Sequence, residues 1–221
     1  MTEKTDQTKV LLTDTKTLHK IKSMQLRKQM LPIAIVVLLL IANIVYPQRF
    51  YFYPTLAAFG WFLLARMMFR TKNKISAPEP GTFVSPVNGR VQLLQRREDA
   101  TLITLRKSWL DVVELRLPYP DLKMDSNRNW SFETAAGKVE VSIDSKNITF
   151  FDNKNISGDV IGVIPSSAII SIKMPEGILV KVKENQPVLG GETVLFALSE
   201  HAFEQSESKS ILVEEPTQDL N

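Results

Sequence analysis

"IGVIPSSAIISIKMPEG", residues 161–177, is the stretch on which the reading of the fold turns. Two apolar runs flank Pro165-Ser166-Ser167-Ala168. Proline supplies no backbone N–H and restricts the residue before it to extended conformations, so the ladder breaks there. The pattern is a strand, a kink and a second strand. Outward from it the same texture repeats: "RVQLLQ" (90–95), "ATLITLR" (100–106), "VVELRL" (112–117), "KVEVSID" (138–144), "NITFFD" (147–152), "ILVKVKE" (178–184) and "ETVLFALS" (192–199). Turn residues separate the runs, as in "VNGR", "FDNKN" and "VLGGE". Short β-rich runs at this spacing predict a compact all-β sandwich or barrel over residues 81–200.

The 221 residues suit one modest domain with appendages. There is no cysteine, which excludes disulfides, thiolate catalysis and cysteine metal sites. The two histidines, His19 and His201, both lie in polar terminal segments. A histidine-rich metal site or a Ser-His-Asp triad is therefore not expected. A net charge of +3 is too small to argue for nucleic acid as a partner.

Two apolar runs precede the β region: Met30–Tyr46, "MLPIAIVVLLLIANIVY", and Phe50–Phe69, "FYFYPTLAAFGWFLLARMMF". Roughly 17–25 residues suffice to cross a bilayer core. The runs predict a two-helix transmembrane hairpin over residues 30–70, with Pro32 in its first turn, where a missing N–H is harmless. Lys16, Lys20, Lys22, Arg27 and Lys28 stand before the first run, and Arg66, Arg70, Lys72 and Lys74 close or follow the second. The connection carries only Arg49. Cytoplasmic loops are enriched in such cations, so both termini and the β domain are expected at the cytoplasmic face of the inner membrane. No signal-peptide cleavage pattern is visible, which predicts a retained multi-pass anchor. Asn43, in the first run, is a candidate for a hydrogen bond between helices.

The remaining segments follow. Residues 1–29 form a basic cytoplasmic segment, either a weakly amphipathic helix on the anionic leaflet or a solvated tail. Residues 71–80, with "ISAPEP", read as an extended linker. Residues 201–221 form an acidic tail without a core-forming pattern.

Individual candidates for chemistry are weak. Asp111 and Glu114 in "WLDVVELRLP" point to opposite faces if the segment is extended. Asp121 and Asp125 suit a solvated loop better than a metal cage. Asn88-Gly89 suits a tight turn. "GTFVSPVNGRV" and "PEGILVKVKENQPVLGGETVLFAL" resemble the two halves of a lipoyl-type hammerhead, or barrel-sandwich, fold. In that frame Lys173 faintly matches a biotinyl context. It lacks the usual preceding residues and reads as a solvent-facing strand position.

Taken in order, the motifs resemble those of phosphatidylserine decarboxylases. "ISAPEPGTFVSPVNGRV" is similar to that family's P-x-x-P-G-x-x-V-S-P-A-D-G-x-V. "SWLDVVELRLPY" is similar to S-P-L-D-V-H-V-N-R-x-P, and "SNRNWSFETAAGKVEVSID" to N-E-R-N followed by a strand with G-K-V. "GDVIGVIPSSAIISIKMPEG" is similar to G-x-x-x-G-x-I-x-F-G-S-x-V-D-V-x-L-P, and "VKVKENQPVLGGETVLFAL" to V-x-V-G-x-x-V-x-A-G-E-T-V-L-A. The resemblance runs from about Ile75 to Leu198. It implies an all-β soluble domain of barrel-sandwich type, preceded by the membrane hairpin.

The resemblance also implies a chemistry, and this chain lacks its parts. In the family a serine attacks the preceding glycine's carbonyl, the chain splits, and the serine becomes a pyruvoyl group that decarboxylates the lipid. At the aspartate position stands Asn88, and at the histidine position Val113. The glycine–serine pair becomes Ser167-Ala168. An alanine methyl cannot become a keto group, and general acid–base help is worth about 10²–10⁴-fold. The expected protein is a non-catalytic relative with no cofactor, retaining fold positions such as Pro86, Gly89, Asp111, Arg116, Pro118, Gly162, Pro175, Gly191 and Glu192. Its implied partners are the bilayer and an anionic phospholipid or a membrane protein. The alternatives are an active decarboxylase, with a one-residue slip making Ser167 the pyruvoyl source, and a carrier-like adaptor of a membrane complex.

Overall fold

A computed structural model of the chain describes residues 10–45, 51–72, 74–97, 99–120, 122–124, 129–134, 136–151 and 156–198. Asp121, Asp125, His201 and the acidic tail, all weighed above, lie outside these residues.

The longest element is α1 (Thr15–Val45, 31 residues). The helix begins fifteen positions before residue 30, taking in much of the basic segment for which a helix was one of two readings, and runs on without interruption. Its first half is held by tertiary packing. Thr17, Ile21, Gln29 and Pro32 are its buried residues and fall on one stripe. Pro32 is consequently inside the helix and not in a first turn, where it forfeits one backbone hydrogen bond. The second apolar run folds as α2 (Phe52–Met67, 16 residues), which packs against α1. At about 1.5 Å per residue it spans roughly 24 Å, short of a bilayer core. Among the described residues, α1 alone is long and apolar enough to cross a membrane.

The other described elements are antiparallel β-strands. Its main sheet has seven strands in the order β14 (Pro187–Val188), β4 (Gly89–Arg96), β5 (Ala100–Lys107), β12 (Ala168–Pro175), β9 (Gly137–Asp144), β8 (Trp130–Thr134) and β7 (Lys123–Met124). Side chains along β12 alternate between the core and the outside, as a half-buried strand requires. Two three-stranded sheets pack with it. One is β10 (Thr149–Phe150), β11 (Val160–Val163) and β6 (Glu114–Arg116); the other is β13 (Leu179–Val180), β15 (Val194–Ala197) and β3 (Thr82–Val84). An aromatic stack ties strands of different sheets together: Phe83 lies 4.5 Å from Phe196 and 5.7 Å from Phe132, and Phe132 lies 4.5 Å from Tyr119. The strand–kink–strand reading of residues 161–177 corresponds to β11, a break at 164–167 and β12.

The stretch read as an extended linker carries β2 (Lys74–Ser76), which pairs with β1 (Val10–Leu12) just ahead of α1. Ile75 is buried where this clip meets the domain. Gly191, at φ 77°, lies so close that a Cβ would come 2.7 Å from Ile75 Cδ1 and 2.8 Å from Arg116 Cδ. Only glycine fits both that backbone and that approach. A second apolar cluster joins the helices to the domain: Ile21 of α1 and Phe69 beyond α2 meet Val113, Val160 and Val163.

Candidate functional site

The ends of three neighbouring strands bring the sequence-predicted positions together. Lys107, the last residue of β5, is the register partner of Ala168, the first of β12. Gly89, the first residue of β4, lies against the backbone of Arg106 and Lys107. Val113 joins this end through its carbonyl, which accepts a 2.7 Å bond from Ile164 N–H. Topology thus gathers Asn88, Val113, Ser167 and Ala168 at one end of the fold.

Their side chains do not form one reactive group. The Asn88 carboxamide is buried and its Oδ1 accepts from Gly190 N–H at 3.3 Å, so it pins the "VLGGE" turn. Val113 is buried in the apolar cluster with Ile21 and Phe69. The Ala168 methyl is buried, whereas Ser167 is exposed.

A cavity of about 440 Å³ opens at this end, lined by Arg106, Lys107, Lys146, Asp144 and the hydroxyl-bearing Ser145, Ser166 and Ser167, among others. Ser145 Oγ and Ser166 Oγ share a hydrogen bond of 3.1 Å. Lys107 is the residue that sequence reasoning missed. It is fully buried, and its ammonium donates to Ser108 O at 3.1 Å and Ser166 O at 3.4 Å. Burial lowers its pKa from 10.5 to about 8, against the opposing pull of the Asp111 carboxylate. Within "RKSWL" such a lysine looks like surface charge; only the register with Ala168 buries it.

Two exposed cationic residues, Arg106 and Lys146, line the cavity against one carboxylate, with hydroxyl-bearing residues between them, and Lys107 lies beneath it, closed off from water. That is a donor set for an anion, charge-assisted on two sides. No group of His, Cys, Asp or Glu among the described residues could hold a metal.

The remaining candidates take other places. Asp111 lies in a turn and not an extended segment, its Oδ2 accepting from Ser108 N–H at 2.6 Å. Glu114 is buried in β6 and paired with Arg116. Burial pushes its carboxyl above the usual carboxylate range, while the Arg116 guanidinium pulls the other way. Lys173 lies exposed in the middle of β12, not on a hairpin tip. His19 is exposed on α1. Several positions shared with the decarboxylase motifs are structural contacts: Pro86 O accepts from Arg116 N–H at 2.8 Å, and Glu192 Oε2 pairs with Lys72 Nζ at 2.6 Å.

No family model, curated protein or solved structure matches this chain. The resemblance to phosphatidylserine decarboxylases therefore rests on the order and spacing of the motifs.

Proposed function

We propose that the chain is a non-catalytic, membrane-anchored protein of phosphatidylserine decarboxylase type, whose β domain binds the anionic headgroup of a phospholipid. In this reading α1 and α2 form the anchor, with both termini on the cytoplasmic side, and the β domain is a barrel-sandwich. One observation carries the reading. Where the family's chemistry needs a serine hydroxyl beside a proton acceptor, this chain has the Ala168 methyl paired in register with a buried lysine. A cationic floor favours holding a phosphate or carboxylate over building a keto group.

Native mass spectrometry of the full chain in detergent tests both halves of the reading. Phosphatidylglycerol and phosphatidylcholine are supplied in equal amounts, to the wild type and to Lys107→Met. The expected wild-type result is one intact chain of 25.0 kDa carrying mainly phosphatidylglycerol. Lys107→Met is expected to lose that preference while staying folded. Two fragments, the smaller starting at Ser167 with a blocked N-terminus, would instead establish the decarboxylase reading. An intact chain with no preference between the lipids would remove the headgroup function.

A further inference from the structure

Trp109 and Leu110 stand side by side on the turn that follows Lys107, 40 % and 41 % exposed. The turn is pinned at both ends. Asp111 N–H donates to Ser108 O at 3.2 Å, Ser108 N–H donates to Asp111 Oδ2 at 2.6 Å, and Leu110 N–H reaches Ser108 Oγ at 3.4 Å. Scattered exposed leucines need no explanation. A tryptophan and a leucine adjacent at the tip of a fixed turn hold apolar surface in water with little freedom to hide it.

The place of the turn says what covers it. Val113 N–H donates to Arg70 O at 3.0 Å, and Arg70 is the first residue after the apolar run 50–69. The Val113 side chain packs with Ile21 and Phe69. Trp109 is four residues from Val113, so at about 3.5 Å per residue it lies within roughly 14 Å of the point where the helical unit ends. Two exposed cations stand by this point: Arg106 precedes the turn and Arg70 supplies the carbonyl that Val113 meets, while Lys107 is buried and Lys72 is paired with Glu192. The one acid on the turn, Asp111, has its carboxylate engaged by Ser108 N–H.

We propose that the Trp109–Leu110 turn inserts into the boundary between headgroups and acyl chains of the bilayer that holds α1, forming a membrane contact of the β domain itself. Tryptophan favours that boundary, and the flanking cations match anionic headgroups. Because Lys107 and Ser108 lead directly into the turn, insertion places the Lys107 cavity at headgroup depth. The inference rests on the anchored reading above and adds how the cavity reaches its ligand.

The absence of cysteine makes the test direct. Single variants Leu110→Cys, Leu38→Cys on α1 and Leu179→Cys on β13 each take one environment-sensitive fluorophore. The leucines of the two reference sites are themselves 67 % and 68 % exposed. The full chain is reconstituted in vesicles of phosphatidylcholine and phosphatidylglycerol carrying lipid-borne quenchers at shallow or deep positions. The expected pattern is deep quenching at position 38, shallow quenching at 110, and at least fivefold weaker quenching at 179. Quenching at 110 no stronger than at 179, with 38 still quenched, overturns this inference and leaves the anchor standing. An unquenched label at 38 overturns the anchored reading and this inference with it.

Discussion

Arg116 and Glu114, two residues apart on one face of β6, form an ion pair sealed from solvent. The pair does more than join its own strand. Arg116 also donates to Lys72 O at 2.7 Å, Gly158 O at 2.8 Å and Thr13 Oγ1 at 3.4 Å, while Glu114 Oε1 accepts from Lys72 N–H at 2.8 Å. Thr13 precedes α1 and Lys72 follows α2. One buried charge pair therefore fastens both ends of the helical unit to the β domain.

Removing one partner of a buried pair typically costs about 3–5 kcal/mol, because the other charge stays behind. Glu114→Gln strands a guanidinium that cannot lose its proton, so the stability of that variant carries no titration from this site. Arg116→Met strands a carboxyl that burial already pushes upward, and protonation neutralises it. The destabilisation by Arg116→Met should therefore shrink as the pH falls from 7 towards 5. Thermal melts of both variants in detergent across that range check the asymmetry. Equal pH dependence of the two would contradict the buried pairing.

Lys107 gives a second pH signature, of opposite origin. Its pKa is about 8 in the folded chain and near 10.5 when unfolded. Between those values the unfolded chain holds a proton that the folded one has released, so stability rises with pH across the window. The gain is complete above 10.5 and is lost as the pH falls to 8; its size is up to about 3 kcal/mol. Lys107→Met lacks the titrating group. It is expected to be more stable than the wild type at pH 7, with the difference closing between pH 8 and 10.5. Denaturant midpoints at a series of pH values read this directly.

Two glycines separate a steric requirement from a conformational one. A Cβ on Gly89 would sit 2.4 Å from Arg106 O, a backbone atom of β5 that cannot swing away. Gly89→Ala should force β4 off β5 beside the Lys107 cavity, at a cost of about 1–3 kcal/mol. A Cβ on Gly60, inside α2, meets nothing within 4 Å. Gly60→Ala should stabilise by up to about 1 kcal/mol through helix propensity alone. The two melting temperatures are expected to move in opposite directions.

These elements differ in how far the sequence exposes them. Strands β5 and β12 were legible because eight residues of alternating burial leave a period of two in the chain. The clip of β1 and β2 was not, since three residues are too few to show a period. The early start of α1 depends on Ile21 and Thr17 finding partners, which is a tertiary fact. Motif order singled out Ser167, Ala168, Asn88 and Val113, and topology does assemble them. It gave no sign of Lys107 or of the Glu114–Arg116 pair, because a charge is assigned to the surface until a register buries it.

On the proposed decarboxylase-type reading, a hydroxyl introduced at position 168 should still not bring self-cleavage. Ala168→Ser supplies the nucleophile's oxygen, but Ser167, not glycine, precedes it, and the strained turn that glycine permits is not available. Val113, which that reading sets at the decarboxylase motif's histidine position, is buried among Ile21, Phe69, Val160 and Val163 and takes up no proton. The nearest ammonium, that of Lys107, donates to the carbonyls of Ser108 and Ser166. With a pKa of about 8 it is mostly protonated at neutral pH and a poor proton acceptor there. Intact-mass measurement of Ala168→Ser at pH 7 is expected to show a single uncleaved chain, heavier than the wild type by the mass of the added oxygen. At pH 9 the amine is largely neutral, so slow cleavage confined to alkaline pH would single out Lys107 as a latent base. Cleavage already complete at pH 7 would overturn the non-catalytic reading.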